Sequence, residues 1–492
     1  MKISTAALPH LSAGNLQLPL TTVFELPEKV LQFGTGVLLR GLPDFFINAA
    51  NNLQIFNGRI VVVKSTDTGD TNAFATQDGL YTHIIRGLHN GAIVEENIVN
   101  ASISRVLSAK TEWQSILACA HNPEMQLIIS NTTEVGLQLV KETIVDTVPV
   151  SFPGKLLAFL LERYKAFNGS AASGMIIIPT ELITDNGTKL KLILEELALF
   201  NALDAAFIDW LLQQNTFCNS LVDRIVPGRP EKILYTELET TLGYTDELMI
   251  MSEPYALWAI EGDEKIKAAL TFATVHEGVV ICPDITQYKE LKLRLLNGTH
   301  TLSCGAAFLH GFTTVKQAMQ DSAFAAFISK IMLQDIANGI PFSLPAEAAN
   351  KFGKQVLERF SNTYIEHKWI NITMQYTAKM KMRVIPVLLE YYARHNKVPD
   401  YLAYGFAAYL KFMQAQTITD GKYYGDLHNN PYLIQDDAAP YFYEVWQQEK
   451  SPSAVANKVL SNKELWGANL HELNGFTDCV IKVMETMAVL PQ

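Results

Sequence analysis

Three polar side chains lie among leucines in the stretch Tyr288 to His300, which reads YKELKLRLLNGTH. At the 3.6 residues per turn of an α-helix, Asn297 lies about 140° and His300 about 80° around the axis from Lys292, so the three share one broad face. A lysine acts as acid or base, an amide donates to a developing oxyanion, and an imidazole binds a hydroxyl. Together they suit the interconversion of a carbinol and a ketone. The alternative is an ordinary helix with an exposed lysine and a core histidine.

The glycine in this stretch adds a second expectation. Gly298 lies inside the predicted helix, where glycine costs about 1 kcal/mol relative to alanine. An interior glycine of this kind indicates the close approach of another backbone or of a ligand.

A glycine turn near the start of the chain is typical of a nucleotide-binding unit. The apolar run Lys29 to Phe33 (KVLQF) passes through Gly34-Thr35-Gly36 into VLLRGLPDFFINAANN. In a strand, glycine turn and helix of this kind, backbone N–H groups and the helix N-terminus bind a pyrophosphate. Leu39 replaces the third glycine of GxGxxG, so the motif alone is weak. The candidate cofactor-binding residues here are Phe33, Gly34, Thr35 and Gly36.

Two further predicted strands end in polar side chains. Gly58 to Lys64 (GRIVVVK) is followed by Asp67, and an acid near this place binds the adenosine ribose in NAD-binding folds. Because the strand ends in Lys64, which can bind a 2′-phosphate, the choice between NAD and NADP stays open. The next strand, Met125 to Ile129, is followed by polar residues just beyond its carboxyl end, where open α/β sheets bind ligands. We expect cofactor contacts from Asp67, Asn131 and Glu134.

An Asn-Gly pair follows the strand Met175 to Ile178 (MIII), just before an amphipathic helix. At this strand-to-helix junction Asn186 is a candidate amide donor. Asn-Gly is also a common plain turn, and the spacing alone does not separate the two interpretations.

The order of these elements predicts the fold class. Strand and helix signals alternate over about the first 280 residues, which favours a largely parallel, doubly wound sheet. After Cys304 apolar residues recur at intervals of three and four, which predicts long helices. We expect an α/β chain, with a Rossmann-type dinucleotide-binding domain over residues 1–284 and a mainly α-helical substrate-binding and catalytic domain over residues 285–492.

Composition restricts the partners and the compartment. Asp and Glu total 50 against 39 Lys and Arg, without a basic run, so neither nucleic acid nor a membrane is an expected partner. No apolar run reaches the roughly 18 residues of a membrane span. Five widely spaced cysteines without a CxxC pair favour reduced thiols in the cytoplasm. No HExxH, P-loop or zinc-ligand spacing is present, so no metal is expected.

Six motifs in sequence order resemble the long-chain polyol and mannitol dehydrogenase family. They are FGTGVLLRG, SNTTEVG, PTELITDNG, FCNSLVDRIVPG, EPYALWAIEG and the K-x4-N-x2-H of the Tyr288 helix. The resemblance implies an N-terminal Rossmann domain, a mainly helical C-terminal domain, and metal-independent hydride transfer with NAD in the cleft between them.

The resemblance also implies roles for individual residues. Lys292 matches the catalytic acid/base of the family, Asn186 and Asn297 match the amides that hold the oxyanion, and His300 matches a contact to a substrate hydroxyl. The substrate-binding candidates are Asp223, in the VDRI motif, and Lys379 with Arg383. Lys379 falls where related enzymes have a substrate-binding arginine. A Lys/Arg pair fits the carboxylate of a sugar acid.

Several alternatives stay open at this point. The substrate is a small sugar acid or a neutral polyol, and Lys64 leaves the choice between NAD and NADP. The oligomeric state is open, a monomer included. A dinucleotide-binding sensor without catalysis, or a transferase that uses a nucleotide-activated sugar, is the rival from another functional class.

Overall fold

The computed structural model describes residues 1–11, 14–66, 71–132, 136–487 and 490. The chain divides into two compact units. The first comprises Met1–Gly87 and Ile93–Ile285, and the second comprises Leu88–Ala92 and Thr286–Gln492. The predicted domain boundary lies one residue earlier, between residues 284 and 285.

The strands of the described chain up to residue 285 form three sheets. In chain order they are β1 (Leu16–Gln17), β2 (Glu28–Phe33), β3 (Arg59–Lys64), β4 (Tyr81–His89), β5 (Ala92–Asn100), β6 (Ile103–Ser108), β7 (Leu127–Ser130), β8 (Ile176–Pro179), β9 (Thr216–Phe217), β10 (Ser220–Asp223), β11 (Ile250–Ser252), β12 (Leu257–Glu261) and β13 (Val279–Cys282).

The helices of the first unit connect these strands. They are α1 (Val37–Gly41), α2 (Pro43–Asn52), α3 (Asn72–Thr76), α4 (Trp113–Ala118), α5 (Phe152–Ala166), α6 (Asn186–Phe200), α7 (Ala205–Gln213), α8 (Lys232–Leu242) and α9 (Glu264–Ala269). Short 3-10 turns cover Leu8–His10, Thr21–Glu25, Cys119–His121, Ala171–Ser173 and Thr271–Val275.

The central sheet has six strands in the order β6-β3-β2-β7-β8-β9, and its paired strands are parallel. The topological switch point lies between β2 and β7, since the connections run outwards in opposite directions from these two strands. Alternate residues of the central strands enter two cores on opposite faces, and both faces are covered. One core contains Leu31, Val61 and Ile128 with α5, α6 and α7; the other contains Val30, Val62 and Ile129 with α1 and α2. The predicted doubly wound sheet is confirmed.

Two smaller sheets complete the first unit. One has the order β1-β5-β4-β11, and the other has the order β10-β12-β13, in which β10 runs antiparallel to β12. The sequence predicts one main sheet and misses these, because short strands such as β1 and β11 carry too few residues to show a periodicity. A hairpin-like stretch is expected around Asp78-Gly79. The structure places a left-handed turn at these two residues, directly before β4.

The second unit is mainly helical, as the sequence predicts. Its helices are α10 (Thr286–Leu291), α11 (Thr299–Leu309), α12 (Val315–Gln320), α13 (Ser322–Lys330), α14 (Ala337–Gly339), α15 (Ala346–Phe360), α16 (Trp369–Ile372), α17 (Tyr376–Lys379), α18 (Ile385–His395), α19 (Asp400–Phe412), α20 (Ala439–Gln448), α21 (Pro452–Leu460), α22 (Lys463–Trp466) and α23 (Phe476–Thr486), with a 3-10 turn at Leu470–Glu472. An antiparallel sheet of β14 (Thr417–Thr419), β15 (Lys422–Leu427) and β16 (Asn430–Ile434) was not predicted.

Three segments of the second unit are π-helical rather than α-helical. We name them π1 (Lys292–Gly298), π2 (Ile331–Ile336) and π3 (Met380–Val384). Each continues an α-helix without a break in the chain, and π1 packs against both π2 and π3. π-helical segments are rare and are frequent at functional sites.

Candidate active site

Lys292 and Asn297 lie at the two ends of one π-helical turn. A π-helix closes hydrogen bonds between residues five apart, so side chains at this spacing stand above one another. The α-helical expectation, with about 140° between these residues, is therefore wrong. Both side chains are half-buried. Within the described chain the amide of Asn297 makes no hydrogen bond, and it is available as a donor to a ligand.

His300 lies beyond π1, in the first turn of α11. Its ring stacks on Phe360 with centroids 4.1 Å apart and planes 5° apart, and it meets His367 edge-on at 5.1 Å. Burial, and then the nearby cationic groups, hold the pKa of His300 well below its usual range. The ring is therefore neutral at neutral pH.

A neutral imidazole has one nitrogen that donates and one that accepts, and both can bind a hydroxyl. Among the described residues, the buried Nε2 of His300 has no hydrogen-bond partner, and the neighbouring hydroxyls of Thr299 and Ser303 share this property. Buried polar atoms are normally satisfied, so this group of unpartnered atoms indicates a place for a ligand.

Lys379 and Arg383 form a cationic pair beside α11. The ammonium of Lys379 donates to the main-chain oxygen of Ile372 at 2.8 Å, and Nη1 of Arg383 donates to Oγ1 of Thr301 at 3.1 Å. In the described chain neither side chain forms an ion pair with a carboxylate, and Nε of Arg383 is buried without a partner. Burial lowers the pKa of both groups, and for Lys379 the positive charge of Arg383 adds to this.

The cationic pair has further basic neighbours that the sequence did not single out. Burial, and then the charge of Lys379, lower the pKa of His367, and Arg359 is among the charges that act on His300. Repulsion between these groups is relieved when an anion binds. The region is therefore suited to a carboxylate. An isolated histidine such as His367 carries no spacing signal, which is why it was missed.

Gly298 does not need to be glycine on the grounds of space. Its φ is −64°, and a Cβ would lie 3.9 Å from the main-chain oxygen of Arg383 and 3.6 Å from Ile336, which are ordinary contact distances. The close backbone approach expected from the sequence is present as a contact, but it is not tight enough to exclude alanine.

The glycine turn of the first unit lies at the switch point of the sheet. Gly34 has a φ of +128°, and a Cβ there would lie 3.0 Å from the main-chain oxygen of Asn131. The N–H of Asn131 in turn donates to the carbonyl of Phe33 at 3.2 Å. The structure thus brings Phe33, Gly34 and Asn131 together at the carboxyl ends of β2 and β7. Asp67 and Glu134, the other expected contacts, lie outside the described residues.

Open space follows the turn at Gly36. Thr35 is half-buried, Gly36 is exposed, and a Cβ on Gly36 would meet nothing within 4 Å. Leu39 is fully buried in the core. The close packing that a third glycine usually provides is found at Gly41, where a Cβ would lie 2.8 Å from Val226. This cradle fits a pyrophosphate, because backbone N–H groups can approach one without obstruction by side chains.

Lys64 is directed towards its own loop. It is 7% exposed, and its ammonium donates to the main-chain oxygen of Thr66. That bond occupies part of the donor capacity that a 2′-phosphate would use.

Asn186 is fully buried at the start of α6, and its amide is used by the fold. Nδ2 donates to the carbonyls of Pro179, Glu181 and Ser220 at 2.9 to 3.1 Å, while Oδ1 accepts from the N–H of Ser220 at 2.9 Å. These bonds join the ends of β8 and β10. The oxyanion contact expected of Asn186 would require them to break. The Asn-Gly pair is not a plain turn either, since its residues are the first two of α6, where the Asn186 amide serves the fold.

Asp223 is buried at the end of β10, opposite Leu257 of β12. The next residue, Arg224, donates from Nε to the carbonyl of Glu253 at 3.0 Å and from Nη1 to that of Gly41 at 2.7 Å. One guanidinium therefore connects three of the six motifs that the sequence analysis singled out. Burial lowers its pKa to about 10, which leaves it charged at neutral pH.

Glu181 is a further buried group that the sequence did not single out. Its carboxylate accepts from the N–H of Thr132 at 2.9 Å and from the hydroxyl of Ser130 at 3.2 Å. Burial raises its pKa, and these hydrogen bonds oppose the rise. The only sequence signal was its position, two residues beyond β8. It holds Thr132, the residue that follows Asn131.

Within the described ranges no group of three or more His, Cys, Asp or Glu side chains could hold a metal ion. Nor does any helix in that part of the chain combine the length and apolar character that crossing a membrane requires.

Models of two protein domains match nearly the whole chain. Residues 28–273 match the mannitol dehydrogenase Rossmann domain, and residues 284–488 match the mannitol dehydrogenase C-terminal domain.

Curated relatives match over similar lengths. The chain is 38% identical to the altronate oxidoreductase of Bacillus subtilis (strain 168), over 93% of this chain and 92% of that protein. It is 36% identical to the altronate oxidoreductase of Halalkalibacterium halodurans, over 95% of this chain and 91% of that protein. It is 35% identical to the altronate oxidoreductase of Shigella flexneri, over 94% of this chain and 95% of that protein.

Two solved structures share the fold. The Pseudomonas fluorescens mannitol 2-dehydrogenase, in a ternary complex with NAD and D-mannitol, matches with a TM-score of 0.69 at 20% identity, over 99% of this chain and 97% of that chain. A D-sorbitol dehydrogenase in substrate-free form matches with a TM-score of 0.79 at 19% identity, over 99% and 98%. At these identities the likeness concerns the fold alone.

Proposed function

The chain belongs to the mannitol dehydrogenase family and is an oxidoreductase that acts on CH–OH groups, and from this premise we propose that it reduces D-tagaturonate to D-altronate with NADH, reversibly. The relatives with 35 to 38% identity are altronate oxidoreductases, and altronate is a sugar acid. A sugar-acid substrate requires a site for its carboxylate in addition to the side chains that act on its carbinol group. The observation that carries the proposal is the cationic pair, Lys379 and Arg383.

The carboxylate of the substrate binds to this pair. Charge-assisted hydrogen bonds from a partly buried lysine and arginine are stronger than neutral ones, and Arg383 has a donor without a partner in the described chain. A neutral polyol would leave both cations without a counter-charge. This difference favours a sugar acid over mannitol or sorbitol.

The reduction itself uses π1 and α11. NADH, when bound, supplies the hydride that the keto carbon accepts. The amide of Asn297 donates to the oxygen as its negative charge develops, which is worth about 3 kcal/mol by analogy with single oxyanion donors. Lys292 gives its ammonium proton to that oxygen, and the C–O bond changes from double to single. Neutral His300 binds a hydroxyl of the sugar chain through Nε2.

In this scheme side chains provide both the proton and the stabilisation of the alkoxide, so no metal ion is needed. In the oxidising direction the same groups act in reverse, and the amine of Lys292 accepts the hydroxyl proton of altronate. Binding of the dinucleotide is assigned to the glycine turn Gly34 to Gly36 with Asn131. NAD is preferred over NADP because Lys64 is buried and donates to its own loop.

The test is NADH oxidation by the purified protein, followed at 340 nm with tagaturonate as substrate. Fructuronate, fructose and NADPH are run in parallel. Turnover with tagaturonate and NADH, and slow or no turnover in the other arms, is the expected result. Faster turnover of fructuronate or fructose would leave the chemistry of Lys292 in place and overturn the assigned substrate. Cofactor binding without turnover of any of these compounds would favour a sensor.

A further inference from the structure

A proline explains why π3 exists. Pro386 lies in the first turn of α18 and has no N–H, so the carbonyl four residues before it, that of Met382, loses its helical partner. The proline ring also crowds that carbonyl in an α-helix. The chain widens here, and the N–H of Ile385 bonds to the carbonyl of Met380, five residues back. A carbonyl that is released inside a packed unit needs another donor.

Arg294, in the middle of π1, provides that donor. Its Nη1 donates to the main-chain oxygens of Met382 at 2.6 Å and Arg383 at 3.1 Å, and its Nε donates to Glu290 at 3.0 Å. Arg294 is 7% exposed. The planar guanidinium can bind a carboxylate and a backbone at once, which a lysine ammonium cannot do with the same fixed geometry.

A second connection joins the same two segments in the opposite direction. Nη1 of Arg383, in π3, donates to the hydroxyl of Thr301, and that hydroxyl donates to the main-chain oxygen of Asn297, in π1, at 2.7 Å. Arg294 of π1 therefore holds the backbone of π3. Thr301, which is bonded to the backbone of π1, holds the cation of π3, Arg383. Arg294 lies two residues after Lys292 and three before Asn297.

We propose that Arg294 is a positioning residue, which sets the register between the acid/base groups on π1 and the anion-binding cation on π3. This inference rests on the proposed function. Without the guanidinium, the carbonyls of Met382 and Arg383 lose their donor, and π3 is free to shift along π1. The carboxylate and the keto group of one substrate then no longer reach their two sets of side chains together.

The first experiment compares Arg294→Lys with Arg394→Lys. Arg394 is a matched control, because it also pairs with a glutamate four residues earlier, Glu390 at 2.8 Å, and donates to a carbonyl, that of Ile340 at 2.9 Å. It lies eleven residues after Arg383, about three turns along the chain. Thermal unfolding, NADH affinity by fluorescence, kcat and KM are measured for each variant, and kcat is expressed per NADH-binding site.

We expect Arg294→Lys to lose a few degrees in Tm, since it loses a buried guanidinium contact, and Arg394→Lys to lose less, since Arg394 is exposed. Only Arg294→Lys should raise KM and lower kcat, each about tenfold, which corresponds to about 1.4 kcal/mol, with unchanged NADH affinity. A general loss of folded protein would lower the number of NADH sites and leave KM as it is. Values of kcat and KM within twofold of wild type for Arg294→Lys would overturn the proposal.

A second variant separates positioning from simple compensation for the proline. Pro386→Ala restores the N–H that bonds to Met382, so Arg294→Lys should cost less stability in the Pro386→Ala background than alone. If Arg294 is a positioning residue, we expect KM to stay raised in the double variant, because no guanidinium sets the register between π1 and π3. Recovery of wild-type KM and kcat together with stability would show that Arg294 only replaces the missing N–H, and the proposal would fail. If Arg294→Lys does not fold alone, the double variant serves for the same kinetic comparison.

These outcomes are independent of the assigned substrate. All kinetic arms use whichever keto substrate the wild-type protein reduces. Failure of tagaturonate as a substrate overturns the proposed function, whereas wild-type kinetics in Arg294→Lys overturn the positioning role.

Discussion

Nη1 of Arg383 lies 3.1 Å from Oγ1 of Thr301, and this bond orients a cation whose Nε is buried without a partner in the described chain. The hydroxyl oxygen of Thr301 accepts this bond, and the hydroxyl proton is donated to the main-chain oxygen of Asn297. The hydroxyl therefore links a residue assigned to the substrate carboxylate with the segment that holds the acid/base groups.

Thr301→Val should raise KM for the sugar acid. The substitution keeps the shape but removes the acceptor of Arg383, and an unmade hydrogen bond of this kind costs about 1 to 3 kcal/mol, or roughly 5- to 150-fold in KM. The control is Thr236→Val, because the hydroxyl of Thr236 also donates to a carbonyl four residues back, at 2.9 Å, on an exposed helix of the first unit. Steady-state kinetics with equal KM for wild type and Thr301→Val would contradict the assigned role.

Lys379→Met should separate charged from neutral substrates. The variant loses one cation of the pair, so KM for a sugar acid should rise about 10- to 100-fold, the size of a hydrogen bond to a charged group. Any slow activity on fructose, which has no carboxylate, should stay the same or improve. Lys379→Arg keeps the charge and should retain most of the affinity. Equal changes for both substrates would show that Lys379 does not bind the carboxylate.

Lys292→Met should abolish proton transfer without affecting cofactor binding. General acid–base catalysis is worth about 10²- to 10⁴-fold, so kcat should fall by at least a hundredfold at every pH tested. NADH affinity, measured by fluorescence, should stay at the wild-type value, as should that of the exposed control Lys482→Ala. A Lys292→Met enzyme with near-normal kcat would remove this lysine from the mechanism.

Gly34→Ala and Gly36→Ala form a matched pair at the glycine turn. Alanine at Gly34 is strained by the φ of +128° and meets the Asn131 oxygen at 3.0 Å, so Tm should fall. Alanine at Gly36 meets nothing within 4 Å of the protein, so Tm should hold while NADH affinity falls by about tenfold or more, because the methyl occupies the space assigned to the pyrophosphate. Wild-type affinity in Gly36→Ala would place the dinucleotide elsewhere.

Asp335 in π2 should make the second unit more stable at acidic pH. Burial raises its pKa to about 7, against hydrogen bonds from the N–H of Leu402 and with a further rise from Asp400. Because the folded-state pKa lies above that of the unfolded chain, about 3.9, the stabilisation is complete below pH 4 and is lost as the pH rises to 7. Asp335→Asn should remove this slope and raise Tm at pH 8. Parallel Tm curves for both proteins from pH 5 to 8 would contradict it.

The central sheet and its glycine turn were predictable because their signals are local. The strands β3 and β7 contain continuous apolar runs, and such runs identify strands buried on both faces. In β2 the apolar residues are interrupted by Gln32, and the glycine turn that follows it identifies the strand. The helical second unit was predictable from its periodicity for the same reason.

The π segments were not predicted, and the contact that joins π1 to π3 comes from residues far apart in sequence. Pro386 releases a carbonyl that Arg294 satisfies from 88 residues away. No pattern within π1 predicts this contact, and its apolar periodicity does not separate a π-helix from the α-helix that was expected for Lys292 and Asn297. The Asn-Gly pair at Asn186 was expected at a strand-to-helix junction, and it opens α6 as expected. The partners of the Asn186 amide, such as Ser220, follow only from the fold.

The stacking of His300 on Phe360 has a further consequence for affinity. With planes 5° apart and an edge-on neighbour at His367, the imidazole has lost its torsional freedom before any ligand arrives. The entropy cost of ordering this hydrogen-bonding group is incurred during folding. A sugar hydroxyl that binds to Nε2 therefore loses only its own freedom, and the preorganised ring favours tight and orientation-specific binding of a flexible, open-chain substrate.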